Sequence, residues 1–354
     1  MRLRSTIFGC TLYLATIAAC TGDDPKTGTG GDGGTVTTST GGTGGIGIVG
    51  SGGSGATGGS RGAGAAGGGS GVTGGSGGAG TTGAGTTGAG TGTGGGGGSG
   101  TGCVVGRAVT DQPDDVQGYQ VHVNYVLPSN GIDEGLDTNG AIATSVAAFS
   151  KWLSGQMGGR QIRLDTCGGQ LDIRFFKINQ TEMELKAKGI FLRDAIEEAM
   201  STAGLIAPNK IEAVYYGGDS SESCGSGPWP PGLVGHVAGL YLKGTFANPS
   251  IPSCASNPLA PNKDTPGYLD FSILHEILHT VGIVPTCAPH HVPSGHVSDS
   301  PTDIMYAGNL PWNPSVLDVN KDDYFGANIP GCTDLANSAF LDPLPANAMK
   351  PPGW

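Results

Sequence analysis

Between Thr21 and Gly102 the chain consists almost wholly of Gly, Thr, Ser and Ala, and such a stretch has nothing with which to build a core. Roughly 40 of the chain's 68 glycines fall there. With so little apolar side chain to bury, the segment cannot offset the entropy of ordering its backbone, so it is expected to stay a flexible coil. A Gly-rich coil of that length has an r.m.s. span of about 50 Å, which suits a tether. Phosphate binding is a poor use for these glycines, because no strand and helix adjoin them to form a cradle. Folding is thereby confined to residues 103–354, about 250 residues of ordinary apolar content, enough for one large domain or two closely packed subdomains.

Arg2 and Arg4 precede an apolar run from Ile7 to Ala19, which has the length of a signal-peptide core. The run ends Leu14-Ala15-Thr16-Ile17-Ala18-Ala19-Cys20, which resembles the lipobox of bacterial lipoproteins. That resemblance implies removal of residues 1–19, acylation of Cys20, and residues 20–102 as the tether of an exported protein. Its only membrane contact would be the lipid, and its site would be the cell surface, the periplasm or the exterior. An ordinary signal peptide with an incidental cysteine is the blander alternative.

The formal net charge is -11 and no Lys/Arg-rich run follows the first four residues, which argues against a nucleic-acid partner. The acidity itself favours solubility and identifies no substrate. Of the eight cysteines, Cys10 goes with the signal and Cys20 would carry lipid. The six that remain, Cys103, Cys167, Cys224, Cys254, Cys287 and Cys332, are an even number in an exported domain and point to three disulfides. Cys224 with Cys254 and Cys287 with Cys332 are the preferred pairs, since each would staple a Pro-rich segment. No CxxC-type spacing supports zinc binding by these residues.

Gly118 to Leu127 alternates and is rich in β-branched and aromatic residues, the pattern of a strand. Thr138 to Met157 places Ile142, Val146, Phe149, Trp152 and Leu153 at helical spacing, with a cap expected at Asp137 or Thr138. Strands are expected at Gln161–Leu164, Leu171–Ile178, Ile211–Tyr216 and Val234–Lys243, and a second helix at Gly189–Ala203. Strands interleaved with helices predict an α/β (α+β) fold with a mixed, twisted sheet and one antiparallel edge strand. After Val281 the chain turns loop-rich, which divides it into parts of about 103–282 and 283–354.

Phe271 to Gly282 contains His275-Glu276-Ile277-Leu278-His279. On a helix, residues four apart share a face, so His275 and His279 can aim two imidazoles at one ion. Zinc accepts neutral imidazole and, in catalytic sites, leaves a position open for water. Glu276, adjacent to the first ligand, can take that water's proton and pass it to a leaving amine. Leu269, Phe271, Ile273, Leu274, Ile277, Leu278 and Val281 make the helix apolar, and a buried histidine pair beside a carboxylate needs compensation that a metal provides. Two ordinary histidines beside a surface glutamate are the alternative. Gly282 offers a left-handed exit from the helix. No glutamate follows Glu276, which excludes a downstream glutamate as third ligand. His290, His291 and His296 are the candidates, with Asp299 and Asp303 as outside choices.

These residues resemble the metzincin zinc metallopeptidases, whose pattern is HExxHxxGxxH followed by a Met-turn. His275, Glu276, His279 and Gly282 match, and Met305 within Asp303-Ile304-Met305-Tyr306 matches the Met-turn. The departure is Pro285, where the short motif has its third histidine; an insertion at this point is known in leishmanolysin-like members. The stretch from His296 to Tyr306 is similar in length to the family's path from third histidine to Met-turn, which implies His296 as third ligand, with His290 the alternative. Met305 would form an apolar floor beneath the ligands. Ala307 stands where some members carry a metal-assisting tyrosine. The resemblance also implies that the strand before the active-site helix, here Val234–Lys243, is the edge that binds extended peptide.

Leu317 to Asp323 alternates oxygen ligands, the pattern of a Ca2+ site, but it lacks the Gly and terminal Glu of a calcium loop, so a solvated turn or helix cap is favoured. The reading expected from sequence is therefore a monomeric extracellular Zn2+ endopeptidase acting on polypeptide, with Glu276 as general base. A non-catalytic surface binding or adhesion module of the same fold is the alternative, and amide hydrolysis in cell-wall peptide a third.

Overall fold

The structure, a computed structural model, describes residues 102–245 and 253–354. The expected signal segment, the expected lipidation at Cys20 and all of the expected tether but Gly102 lie outside the described residues.

Strands and three helices are interleaved up to β8 (Val237–Tyr241). In chain order they are β1 (Gln120–Leu127), α1 (Ala141–Gln156), β2 (Gln161–Ile162), β3 (Thr166–Cys167), β4 (Gln170–Leu171), β5 (Ile173–Lys177), α2 (Glu182–Lys186), α3 (Leu192–Thr202), β6 (Lys210–Tyr216), β7 (Gly225–Ser226) and β8 (Val237–Tyr241). There follow α4 (Tyr268–Val281), β9 (His291–Val292), β10 (His296–Val297) and β11 (Leu341–Asp342). The main sheet has the order β5-β1-β6-β8-β7, parallel throughout except for antiparallel β7 at the edge. It is a mixed α/β fold, as the alternation of strand and helix patterns predicts.

Parallel strands covered on both faces are apolar on both, and every residue of β1, β6 and β8 is buried. On one face Val121, Val123, Tyr125 and Leu127 pack with Ile142, Val146, Phe149 and Leu153 of α1 and with Ile273, Leu274 and Ile277 of α4. On the other, Val126, Val214, Tyr216, Val237 and Tyr241 pack with Leu192, Ile196 and Met200 of α3. Helix α4 is thus pressed against the sheet along its apolar side, which fixes where its polar residues face.

Several expectations need correction. Val234–Lys243 is no edge: β8 lies between β6 and β7, because its run Val237–Tyr241 is apolar on both faces and both faces are covered. The edge is β7, two small residues with no alternation for a sequence pattern to reveal. The first helix starts at Ala141, not Thr138. Its N-cap is Gly140, left-handed at φ 87° and without a side-chain cap, while Oδ1 of the preceding Asn139 accepts the Ala141 N–H at 2.9 Å. Asp137 instead accepts the Arg107 guanidinium at 2.7 Å. Gln161–Ile162 leaves the main sheet to pair with β11. Helix α2 went unforeseen, although Thr181 and Glu184 form the reciprocal capping box that Thr-x-x-Glu signals.

The sulfurs come to bonding distance in three pairs, Cys103–Cys167, Cys224–Cys254 and Cys287–Cys332, with Cα separations of 5.7, 5.5 and 6.0 Å. The last two are the pairs preferred from sequence.

A charged network lies under the sheet, on the face away from α1 and α4. Lys210 Nζ donates to Asp111 at 2.7 Å, Asp114 at 2.8 Å and Asp165 at 2.6 Å. Arg174, also buried, bonds Asn124 and Glu212 at 2.9 Å each. Burial pushes the Asp165 carboxyl up to about 6, against the pull of Lys210. One ammonium thus joins three carboxylates, with Gln120 Nε2 also donating to Asp114 at 2.7 Å and His122 Nδ1 lying 3.9 Å from Asp165. Replacing it by an apolar isostere, Lys210→Met, is expected to lower stability by about 3–5 kcal/mol. Urea unfolding of the two proteins would check this, and an unchanged midpoint would contradict it.

Candidate metal centre

Helix α4 begins after Gly267, whose N–H is accepted by Asp270 at 2.7 Å, and ends at Gly282 in the left-handed region at φ 81°. A Cβ at Gly282 would also come within 2.9 Å of Pro352, so two constraints coincide on that glycine. Between these ends the helix carries His275 and His279 one turn apart. Their Nε2 atoms are 2.9 Å from each other.

The third imidazole arrives on a hairpin. β9 and β10 pair antiparallel through the turn Pro293-Ser294-Gly295, with Gly295 at φ 73°, and β10 presents His296. Its Nε2 is 3.2 Å from that of His275 and 3.1 Å from that of His279. Gly295 is the residue that lets the hairpin approach, since a Cβ there would lie 3.4 Å from His279 Nδ1 and 3.3 Å from Trp229.

The hairpin is fastened to the floor of the site. Val297 N–H donates to Met305 O at 3.0 Å, and Ala307 N–H to Val297 O at 2.8 Å. Ile304 O, in the same turn, faces His275 Nδ1 at 2.6 Å and accepts Trp312 Nε1–H at 3.1 Å. A proton on His275 Nδ1 leaves the Nε2 lone pair pointing inward. Asp303 holds the turn: its buried carboxylate accepts the N–H groups of Met305 at 2.7 Å and Val319 at 3.0 Å, and the Tyr324 hydroxyl at 2.6 Å. Met305 itself is fully buried.

Three buried imidazole nitrogens within 3.2 Å of one another cannot satisfy themselves. At most one proton fits in that triangle, and burial pushes the rings toward neutrality, His275 down to about 4 and His296 to about 3, with His279 also lowered. Their lone pairs therefore meet, which is costly without a cation. Imidazoles bound tetrahedrally at 2.0–2.1 Å sit about 3.3 Å apart, close to the observed 2.9–3.2 Å. The donor set fits zinc.

Glu276 lies beside this triangle, on the side of β7. A Cβ at Gly225 would come 2.6 Å from Glu276 Oε1, and one at Gly227 would come 2.7 Å from Glu276 O and 3.2 Å from Oε2. Burial pushes the Glu276 carboxyl up to about 8, against the Gly227 N–H and the charge of Arg193. A carboxyl able to hold or release a proton near neutrality is what a general base needs. Glu276, the three histidines and Trp229 line one open cavity of about 420 Å³.

The other candidates are elsewhere. His290 Nδ1 is 3.0 Å from Asp323 Oδ2 and its N–H donates to Oδ1 at 2.8 Å, away from the three rings. His291 is taken into β9, and Asp299 groups with His290 and Asp323. In the Leu317–Asp323 turn, Asp318 Oδ2 accepts the N–H groups of Tyr324 at 2.8 Å and Phe325 at 2.6 Å, and Asp323 is held by His290. Backbone capping is the work of these carboxylates, and Ca2+ binding finds no support. Gly225, Gly227 and Trp229 were not singled out from sequence. Their one signal is the Gly-Pro-rich run Gly225-Ser226-Gly227-Pro228-Trp229-Pro230-Pro231 between apolar segments.

No family model matches the chain, and no curated protein matches it. Among solved structures it is similar to an archaemetzincin from Methanopyrus kandleri, at 13% identity over 56% of this chain and 91% of that one, with a TM-score of 0.28. The site itself, rather than this likeness, supports the functional conclusion.

The contact between β7 and Glu276 is directly testable. Gly225→Ala is expected to drive the carboxylate from its place and to lower stability by about 1–3 kcal/mol through overpacking. A crystal structure and a denaturation curve of the variant would check both; an unmoved Glu276 side chain would show the approach to be looser than described.

Proposed function

We propose that the chain is an exported, zinc-dependent peptidase, and the observation that carries this is the meeting of His275, His279 and His296 at Nε2 beside the carboxyl of Glu276. HExxHxxG and the buried turn around Met305 support a metzincin-like peptidase. His275, His279 and His296 would hold the ion. When bound, it supplies Lewis acidity toward a peptide carbonyl and makes nearby water more acidic.

The protein's own groups do the rest. His275 keeps its orientation through Nδ1 and Ile304 O, the outer partner that such a ligand requires. The Glu276 carboxylate takes a proton from water in the cavity and returns it to the amine nitrogen as the C–N bond breaks. Gly227 N–H holds that carboxylate toward the cavity. β7, ending the sheet next to Glu276, receives an extended polypeptide as a further strand, so that backbone rather than side chain sets its alignment.

Export is part of the proposal. Three cysteine pairs at bonding distance favour an oxidising compartment. The lipobox-like sequence before Cys20 supports a lipid anchor, with incorporation of labelled palmitate expected in the wild type and lost in Cys20→Ser; labelling equal in both would remove the anchor from the account.

The test of the peptidase couples zinc content to hydrolysis of a peptide library. Wild type is expected to hold one zinc and to cleave. Glu276→Ala should keep the zinc and lose activity by about 10²-fold or more. His296→Ala should lose the zinc, while His290→Ala keeps it. Stoichiometric zinc with no cleavage by the wild type would favour a binding module instead, and zinc retained by His296→Ala would remove that residue from the site.

A further inference from the structure

The wall of the cavity facing the histidines is unlike the rest of the surface. It is made by Ile190 and Phe191, on a single 3-10 turn (Gly189–Phe191) ahead of α3, and by Trp229 and Leu233. Their exposures are 67, 61, 36 and 38%. Among the described residues, Phe191 and Trp229 are the only Phe or Trp side chains in the exposed class, and both line this one cavity. Large apolar side chains left in water, gathered at one concave place, mark a surface that something else covers.

The wall is also rigid. Leu233 N–H donates to Trp229 O at 3.2 Å, closing the turn Trp229-Pro230-Pro231-Gly232-Leu233, in which two prolines restrict the backbone. The Trp229 ring lies over Gly232, where a Cβ would come 1.8 Å from the ring. At its other side Trp229 abuts Gly295, the residue that also lets His296 approach His279. One packed unit therefore joins the wall to the hairpin carrying the third histidine. A preformed aromatic surface binds without paying the entropy of ordering itself.

Charge narrows what can enter. Asp194, Glu222 and Glu276 line the cavity, and no Lys or Arg does. Away from the histidines an acidic chain would meet Glu222, and Asp194 that Arg193 already pairs, with no Lys or Arg lining the cavity to receive it.

We propose that Ile190, Phe191, Trp229 and Leu233 form the specificity wall of the cleft, selecting polypeptides that carry a bulky apolar side chain beside the scissile bond and rejecting those with acidic flanks. The proposal rests on the peptidase reading for its placement next to a scissile bond, but the wall's preference for apolar side chains is a binding property and can be measured without turnover. Phe191 contributes the face on which an aromatic or branched side chain lies, and Trp229 the end of the slot nearest the histidines. The aromatic surfaces are the larger part of the contact, as in other sites where a few rigid rings dominate recognition.

The experiment uses the full chain and heptapeptides in a Gly/Lys background, differing at one position by Phe, Leu, Ala or Glu. Wild-type kcat/KM is expected to favour Phe and Leu over Ala by about 10–100-fold, with Glu below Ala. In Phe191→Ser, and separately in Trp229→Ser, the Phe-to-Ala ratio should fall to within about threefold of unity. Phe191 is exposed, so its substitution leaves the core intact; circular dichroism verifies this for both variants. The same labelled peptides are titrated by fluorescence anisotropy against Glu276→Gln, where the order Phe, Leu, Ala, Glu should reappear in Kd. Equal kcat/KM for all four peptides, or a preference that survives both serine variants, overturns the wall. Wild type that binds in the stated order but cleaves nothing retains the wall and refutes the peptidase. Binding with no preference refutes the wall whether or not cleavage occurs.

Discussion

Three imidazole nitrogens meet inside the protein at 2.9–3.2 Å, in a place where burial keeps the rings neutral. Lone pairs so arranged repel one another, and only close support from the surrounding chain keeps them there. That support has two sources. α4 is pinned by its apolar side against the sheet, which leaves His275 and His279 no freedom to turn away. The β9–β10 hairpin is bonded to the turn around Met305, and the same turn receives His275 Nδ1 through Ile304 O. One short segment thus fixes two of the three rings, while helical geometry fixes the remaining one relative to its neighbour.

Asp303 shows how far this support extends. Its carboxylate gathers Met305, Val319 and Tyr324, so the floor of the site is tied to the loop-rich region that follows it. Burial pushes its carboxyl up to about 7, the penalty of placing an acid where the backbone needs an acceptor. By sequence it is an outside choice for a metal ligand. Its actual place is structural, and the difference lies in which atoms surround it, a matter that chain spacing does not reveal.

The side of the cleft opposite the hairpin depends on glycine. β7 approaches Glu276 so closely that a methyl group at Gly225 would overlap the carboxylate. Sequence periodicity identifies strands by alternating apolar residues, and β7 has none; the expected edge, Val234–Lys243, instead supplies Val237–Tyr241 to the sheet interior. An edge strand pressed this closely against a buried carboxyl has to be small in order to fit, and smallness erases the signal by which strands are recognised. The exposed aromatic wall was equally hidden, because Phe191 and Trp229 lie 38 positions apart in the chain and only folding brings both to one cavity.

What the sequence determined alone was local. The HExxH spacing puts two histidines one turn apart on any helix, the run of apolar residues makes that helix a buried one, Gly282 permits its exit, and the alternation of strand and helix patterns leads to a mixed α/β sheet. Each of these follows from the few residues on either side. Tertiary structure decided whatever depended on distant partners: that His296 rather than His290 approaches the pair, since His290 is held by Asp323; that α1 begins after Gly140 rather than at Asp137, since Asp137 is engaged by Arg107; and that Gly225–Ser226 rather than Val234–Lys243 forms the edge. In each case several residues of suitable chemistry were available, and the choice fell to the one whose competitors already had a partner elsewhere in the fold.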